Sequence, residues 1–276
     1  MPIKHVTEDL HLRSHVIDTF TGWTPPAPIN LIVAVSFGLL VPPRILDLAK
    51  YGGLNVHPSL LPDLRGPAPI EHALLKRRER TGVSIQTLHS QHFDQGTVLA
   101  QTPEPWTQIP KDITAQALGT QLALAGAKML LDVLKAQLHV PPHKDAGWYS
   151  SDHGPIDHAP KITKQDGFVD FAENTMDDIL NIQRTVKQAW CTLPNGDRLN
   201  LHRVAAAHAT MWDAPGHADT PGIFVAEGFD QPLFRAACGK IGIIENSTYA
   251  GSGSGNGNAK LMHKFAASQK QQDSPP

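Results

Sequence analysis

The stretch LNVHPSLLPDLRGPAPIEHALL, residues 54–75, joins a strand-like run to a helix-like run through an irregular loop, 58–69, with four prolines. Alternate side chains of a strand share one face, so Asn55 and His57 are expected to point together beyond the strand end. Histidine titrates near neutrality, and an amide can donate to a developing oxyanion. The pattern predicts a functional site there, with a merely hydrogen-bonded histidine as the alternative.

The residues around this stretch alternate between strand-like and helix-like runs. The run before it, INLIVAVSFGLLVPP, is apolar and β-branched, which is typical of a buried parallel strand. The alternation predicts an α/β fold with a mainly parallel sheet. The predicted order is a strand in 29–43, a short helix in 43–50, a strand at 52–57, a helix at 70–80 and a strand at 81–89.

The second half of the chain has a different texture. An Ala- and Leu-rich, proline-free run predicts a helix over Thr114–Leu138, and another helix is expected in 174–188, capped by Asn174 or Thr175. Asn195-Gly196 predicts a hairpin, and three further short β runs make this region mainly β, with barrel closure plausible. The predicted divisions are a domain at 1–138, a linker at 139–157, a second domain at 158–265 and a disordered tail at 266–276.

Composition excludes few function classes. The chain has 276 residues, 41% of them hydrophobic, and a formal net charge of −2, so a nucleic-acid partner would require a local basic face. The cysteines Cys191 and Cys238 form no disulfide framework, which fits a reducing compartment. We find no signal peptide and no apolar run of the roughly 20 residues that a bilayer needs, so no membrane partner is expected.

A second polar group follows the third predicted strand, in LHSQHFDQGTVL, residues 88–99. Asp94 and Gly96 should lie at the same carboxyl edge of a parallel sheet as Asn55, where Asp94 would orient a histidine and raise its proton affinity. A plain turn is the alternative. His89 and His92 beside Asp94 suggest a metal site, but no firm third ligand is evident, so no metal is expected.

NVHPSLLPDLRGPAPI followed by FDQGTVL resembles the signature of folate-dependent formyltransferases, most closely the members that act on methionyl-tRNA. Both motifs match in order and spacing, and HAPKITKQDGFVDF, residues 158–171, resembles the segment that leads into the family's carboxyl-terminal domain. The resemblance implies a Rossmann-like formyltransferase fold followed by a smaller, oligonucleotide-binding-like β-barrel. It is greatest for fungal members, which implies the mitochondrial matrix.

The resemblance also implies a reaction and its residues. Asn55, His57 and Asp94 would be catalytic, the co-substrate would be 10-formyltetrahydrofolate without a metal, and the acceptor would be initiator methionyl-tRNA, bound by a monomer for translation initiation. The expected folate-binding residues are Phe37, Gly38, Leu39, Ser59, Leu60, Leu61, Pro62 and Gly96. The expected tRNA-binding residues are Arg65, Lys161 and Arg184. For the basic run Lys76–Arg80, a solvated helix face is favoured over a tRNA contact.

The same signature leaves other functions open. These are formyl transfer to another acceptor, hydrolysis of formyltetrahydrofolate, and folate or tRNA binding without catalysis. The start of the chain, PIKHVTEDLHLRSHVIDTF at residues 2–20, resembles the family's helix and third strand. We therefore expect the family's first strand and its neighbour to be absent, which would leave the Asn30–Phe37 strand with an unpaired edge and leaves open whether this chain is active.

Overall fold

The structure is a computed structural model that describes residues 2–207, 220–226, 228–251, 253 and 255–272. It divides into two compact units. Unit 1 comprises residues 1–65, 82–103 and 124–156, and unit 2 comprises residues 66–81, 104–123 and 157–276. The sequence-based domain boundaries remain a prediction.

A four-stranded sheet in the order β1-β2-β4-β5 is the frame of unit 1. Its strands are β1 (Ile32–Val35), β2 (Gly53–His57), β4 (Ser84–Thr87) and β5 (Val98–Gln101). Only β1 and β2 are parallel, because β4 runs antiparallel to β2 and β5 antiparallel to β4. The expectation of a mainly parallel sheet is therefore wrong for this unit, although the strands at 52–57 and 81–89 are confirmed.

The two faces of β2 carry different chemistry. Helix α4 (Ala115–Lys135) contributes its second half to unit 1, and a Cβ at Gly126 would lie 2.7 Å from Cγ1 of Val56. This glycine lets α4 approach the Val56 face closely, while Asn55 and His57 alternate onto the opposite face. The apolar cover on one side leaves the polar side chains on the other.

Helix α4 confirms the helix predicted over 114–138 and corrects one expectation. By length and composition it is long and apolar enough to cross a membrane, which the sequence analysis did not expect of any segment. The Ala-rich run is interrupted by scattered Gln and Thr, so it did not read as one apolar stretch. Leu118, Leu122 and Val133 lie on one side of α4 and are buried, while most of the helix is exposed.

The start of unit 1 is only partly as expected. Helix α1 (Pro2–Asp9) confirms the helix-like start and α2 (Pro43–Leu46) the short helix. Residues 10–28 contain no strand, and Val16 is exposed, so the strand implied there is not found. Strand β1 pairs with β2 alone among the described residues, and Val33 and Val35 on its surface are 42% and 57% exposed.

Unit 2 begins with α3 (Pro69–Leu75) and a two-stranded ribbon of β3 (Arg80–Thr81) and β6 (Thr107–Gln108). Helix α3 ends before the basic run that was expected to continue it, because Lys76 is its C-cap and Arg77 has a left-handed φ of 53°. Helix α5 (Met176–Thr185) follows a 3-10 turn, and Thr175 and Asp178 form a reciprocal capping box at its start. The predicted cap at Thr175 is confirmed.

A five-stranded antiparallel sheet in the order β7-β8-β11-β10-β9 completes unit 2. The hairpin predicted at Asn195-Gly196 joins β7 to β8, and the three short β runs are confirmed as the last strands. The core includes Phe171, Met176 and Phe234, each less than 8% exposed. The strands are β7 (Ala189–Thr192), β8 (Arg198–Ala206), β9 (Gly222–Phe224), β10 (Leu233–Arg235) and β11 (Ile241–Tyr249).

Two segments with an irregular sequence have structure. In the predicted linker, the Ala146 N–H donates to the Val98 carbonyl, and the Trp148 and Tyr149 N–H groups donate to Gln101 Oε1. Helix α6 (Gly257–Gln272) includes residues 266–272, which were expected to be disordered. Its start is fixed by Asn258, whose amide donates to the Ile244 carbonyl on β11. Residues 273–276 of the predicted tail lie outside the described residues.

Candidate active site

Asn55, His57 and Asp94 meet on the polar face of β2. Oδ1 of Asp94 lies 3.0 Å from Asn55 Nδ2 and 3.3 Å from His57 Nδ1. The side chains of His57 and Asp94 are 6% and 8% exposed. A carboxylate this buried is normally held by several donors. One oxygen atom therefore joins an amide donor to an imidazole.

The other ring nitrogen of His57 faces the chain itself. Nε2 lies 3.0 Å from the carbonyl oxygen of Leu64, which can only accept, so Nε2 carries a proton. Burial lowers the pKa of His57 below its ordinary value; the charge of Asp94 and the Leu64 bond oppose this, and the charge of Arg65 adds to it. The ring is therefore neutral near pH 7, with Nδ1 as the unprotonated nitrogen.

Two residues that hold the site have left-handed backbone. Leu64 has a φ of 56° and Asp94 a φ of 55°. For a side chain such as leucine this conformation costs about 1–2 kcal/mol, so it persists only where the surrounding contacts over-determine it. Here it aims the Leu64 carbonyl at His57 and turns the chain at Asp94.

Gln86 is a fourth polar residue of this group, and it was not predicted from the sequence. It lies on β4 directly opposite Asn55 and is 1% exposed. Its Nε2 is 3.1 Å from Asp94 Oδ1, and its Oε1 accepts the N–H of Gly96 at 3.1 Å. Its position one strand over from Asn55 was a usable signal only once β4 was known to be antiparallel.

The predicted meeting of Asp94 with Asn55 and His57 is found, but the strand-edge argument for it was wrong. The register places Thr87, the last residue of β4, beside Leu54 near the start of β2. Asp94 reaches the polar face because the loop after β4 folds back, with the Thr87 N–H bonded to the Thr97 carbonyl. Gly96 is required there, since a Cβ would lie 1.7 Å from the Thr87 carbonyl oxygen.

The residues predicted to bind folate fall into two sets. Ser59, Leu60 and Leu61 are at most 4% exposed, and the Ser59 hydroxyl donates to the Asp63 carbonyl, so these three shape the loop from inside. Phe37 is 42% exposed and Gly38 is also exposed. Leu39 lines a cavity of about 480 Å³ together with Phe20, Thr21 and Pro42. Pro62 is half-buried, and Gly96 forms the turn described above.

The residues predicted to bind tRNA differ in their exposure and in the contacts that they already make. Lys161 is exposed. Nε of Arg65 is buried without a hydrogen-bond partner among the described residues. The guanidinium of Arg184 donates to Asn181 Oδ1 at 3.0 Å and lies 3.3 Å from Asp112 Oδ1.

The basic run after α3 is occupied within unit 2. Lys76 and Arg78 pair with Asp157 at 3.4 and 2.6 Å, and Arg77 pairs with Asp178. The Arg80 guanidinium stacks 3.4 Å over the Trp106 ring. These contacts fit a structural role for the run.

The histidine pair next to Asp94 does not form a metal centre within the described ranges, where no group of three His, Cys, Asp or Glu side chains could hold an ion. His89 and His92 stack 5.2 Å apart, and His89 Nδ1 accepts the N–H of Gln91 and of His92. This nitrogen stabilises the turn of the loop that carries Asp94.

Comparison with known proteins places this site in a family. Residues 17–134, which include the strands of unit 1 and most of α4, match the family described as formyl transferase. The polar group of Asn55, His57 and Asp94 lies inside the matched residues.

Relatives and one solved structure are also similar to this chain. The chain is 38% identical over 219 residues to a methionyl-tRNA formyltransferase of Thermus thermophilus, covering 78% of this chain and 65% of the relative. It is 37% identical over 178 residues to the mitochondrial methionyl-tRNA formyltransferase of Saccharomyces cerevisiae, covering 58% and 43%. The fold resembles HypX from Aquifex aeolicus in complex with tetrahydrofolic acid, with a TM-score of 0.59, 14% identity, and coverage of 86% and 39%. The chain thus spans less than two thirds of each.

Proposed function

We propose that this protein transfers the formyl group of 10-formyltetrahydrofolate to the α-amine of initiator methionyl-tRNA. The observation that carries the proposal is the buried Asp94 oxygen within 3.3 Å of both the Asn55 amide and the His57 ring, inside a formyl transferase domain. Two relatives at 37–38% identity are named methionyl-tRNA formyltransferase, which supports this acceptor over others.

The reaction needs one nucleophilic addition and one elimination. The amine nitrogen attacks the formyl carbon, and the new C–N bond pushes an electron pair onto the formyl oxygen. The Asn55 amide has two N–H groups, and the one not given to Asp94 can donate to that oxyanion. Collapse of the tetrahedral intermediate breaks the bond to N10, which leaves with a proton.

The His57–Asp94 pair can carry that proton. Nε2 of His57 is already bonded to Leu64, so Nδ1 and the Asp94 carboxylate face each other 3.3 Å apart and can share one further proton. The pair can accept the proton that the attacking amine loses and return it to N10. The lowered pKa of His57 keeps the pair ready to accept.

The folate is proposed to bind at the carboxyl end of β1. Phe37 and Gly38 are exposed there and Leu39 lines the cavity of about 480 Å³, which is within the usual size of small-molecule pockets. The buried Ser59, Leu60 and Leu61, together with Pro62 and Gly96, would hold the rim loop and the Asp94 turn in place. No metal is needed for this chemistry.

The finer parts of the proposal concern the tRNA. Arg65 and Lys161 would bind phosphate groups of the tRNA. Arg184 would give up its contact with Asp112 to bind a tRNA phosphate. The five-stranded sheet of unit 2 would belong to an oligonucleotide-binding-like barrel. We propose that the protein acts in the mitochondrial matrix, which the name of the yeast relative as a mitochondrial enzyme supports. We also propose that it is a monomer.

A formylation assay with the whole chain tests the proposal. Purified protein is mixed with radiolabelled 10-formyltetrahydrofolate and initiator methionyl-tRNA, and both formylmethionyl-tRNA and free formate are measured. We expect label on the tRNA, abolished by His57→Ala, which controls for contaminating enzyme. Formate released without tRNA would identify a hydrolase, and folate binding without either product would identify a non-catalytic protein.

A further inference from the structure

Gln86 spans the turn that presents Asp94. Its two ends are both used, with Nε2 on Asp94 Oδ1 and Oε1 on the Gly96 N–H, each at 3.1 Å. The side chain is 1% exposed, so water cannot replace either bond without opening the sheet. An amide buried in this way fixes the geometry of both partners.

The direction of these bonds is determined by chemistry. A backbone N–H only donates, so Gly96 must meet the oxygen of Gln86, and the Gln86 nitrogen must then face Asp94. Asp94 Oδ1 in turn accepts from Gln86 and from Asn55, which orients the Asn55 amide with its nitrogen towards the carboxylate. The chain of hydrogen bonds from the Gly96 N–H through Gln86 and Asp94 therefore fixes which end of the Asn55 amide faces the carboxylate.

We propose that Gln86 is a positioning residue, which holds the Asp94 carboxylate between Asn55 and His57 and keeps it an acceptor. Its importance for rate rests on the proposed function, but its effect on the site does not. The backbone of Asp94 is left-handed, which is an uncommon conformation for a residue other than glycine. The turn at Asp94 therefore depends on contacts such as the two Gln86 hydrogen bonds. Both polar ends of Gln86 are already used, so it would act through Asp94.

The substitutions Gln86→Glu and Gln86→Met separate this role from simple packing. Glutamate keeps an acceptor for Gly96 but turns an oxygen towards Asp94, so two carboxylates must share a proton. We expect the single-turnover rate at pH 7.5 to fall on the order of a hundredfold and to recover as pH is lowered, with KM little changed. Methionine removes both bonds, so its loss should persist at every pH.

Gln101→Glu is the matched control. Gln101 is 8% exposed on the adjacent strand β5, and its Nε2 donates to the Leu61 carbonyl and to Ser84, without a hydrogen bond to Asp94. This variant also places a carboxylate in the sheet and should lower Tm. The shape of its pH profile should match that of the parent.

A readout without catalysis makes the test independent of the proposed function. Imidazole nitrogen NMR of the whole chain follows the titration of His57, whose charged neighbours are Asp94 and Arg65. The carboxylate pair made by Gln86→Glu should couple its own titration to that of His57 and so shift the pKa of His57, while Gln101→Glu should change it much less. If neither the His57 titration nor the pH profile of Gln86→Glu differs from the parent, Gln86 is only a packing residue. If the parent transfers no formyl group but the titration shifts, the positioning role stands and the proposed function fails.

Discussion

Two groups of polar residues in this chain invite a functional interpretation, and they differ in what their neighbours do. In unit 1, Asn55, His57 and Gln86 converge on one buried oxygen atom of Asp94. In unit 2, the basic run Lys76–Arg80 meets Asp157, Asp178 and Trp106 near the surface. In the first group, the side chains of His57 and Asp94 are buried. In the second group, the basic side chains are neutralised by ion pairs with aspartates. Convergence and burial therefore identify the site better than charge does.

The largest effect that would sharpen this contrast is on rate. Asn55→Ala removes the proposed oxyanion donor, and we expect the formylation rate to fall by roughly a hundredfold, or about 2.7 kcal/mol of transition-state stabilisation. Tm should change little, since Asn55 is only half-buried. Single-turnover rates and thermal melts are compared with those of Arg77→Ala in the basic run. An equal rate loss in both variants would erase the distinction between the two groups.

Gly96→Ala should affect both rate and stability. The new Cβ would collide with the Thr87 carbonyl and displace the turn that carries Asp94, at a cost of several kcal/mol or a shifted loop. Chemical denaturation and rate measurement check this. The control is Gly119→Ala, where the nearest atom is 3.5 Å away in a helix and alanine should stabilise by about 0.5–1 kcal/mol. A normal rate in Gly96→Ala would show that the turn does not position Asp94.

At the start of helix α5 in unit 2, the expected effect is on stability alone. Burial raises the pKa of Asp178, but bonds from Thr175 and the charge of Arg77 outweigh it and hold that pKa below its ordinary value. Thr175→Ala removes the N-cap bond and should cost about 1 kcal/mol of unfolding free energy. Formylation per folded molecule should stay unchanged. Denaturant melts measure the cost, and Thr175→Ser, which keeps the hydroxyl, should restore most of it.

The smallest expected effect is on the pH dependence of stability. Because the folded pKa of His57 lies below its unfolded value of about 6.5, the unfolded chain binds more protons between the two values. The contribution of His57 to stability is therefore present above about pH 6.5 and is lost as pH falls through the folded pKa. Parent and His57→Gln melts between pH 8 and 5 should differ in this slope. Parallel curves would contradict the lowered pKa.

The sequence predicted the local elements better than their directions. Strand β2, helix α4, the Thr175 cap and the Asn195-Gly196 hairpin each follow from short-range pattern. The antiparallel direction of β4 depends on how the chain returns after α3, which no periodicity encodes. That direction decides that Gln86 faces Asn55, so the fourth member of the site could not be found from the sequence.

Helix α6 shows a second limit of the sequence. Residues 266–276 were expected to be a disordered tail, yet α6 includes residues up to 272. The start of α6 docks on β11: Asn258 bonds to Ile244, and a Cβ at Gly257 would lie only 2.3 Å from Ser247 Oγ. Such docking depends on tertiary contacts, which override composition.

Single-turnover formylation of initiator methionyl-tRNA by His57→Ala tests whether the buried polar group is the catalytic centre. The variant removes the ring that faces Asp94 and leaves Asn55 and the folate site in place. The account predicts a rate at least about a hundredfold below that of the parent at saturating substrate, with folate binding retained. A near-parental rate would contradict the assignment of the buried group as the catalytic centre.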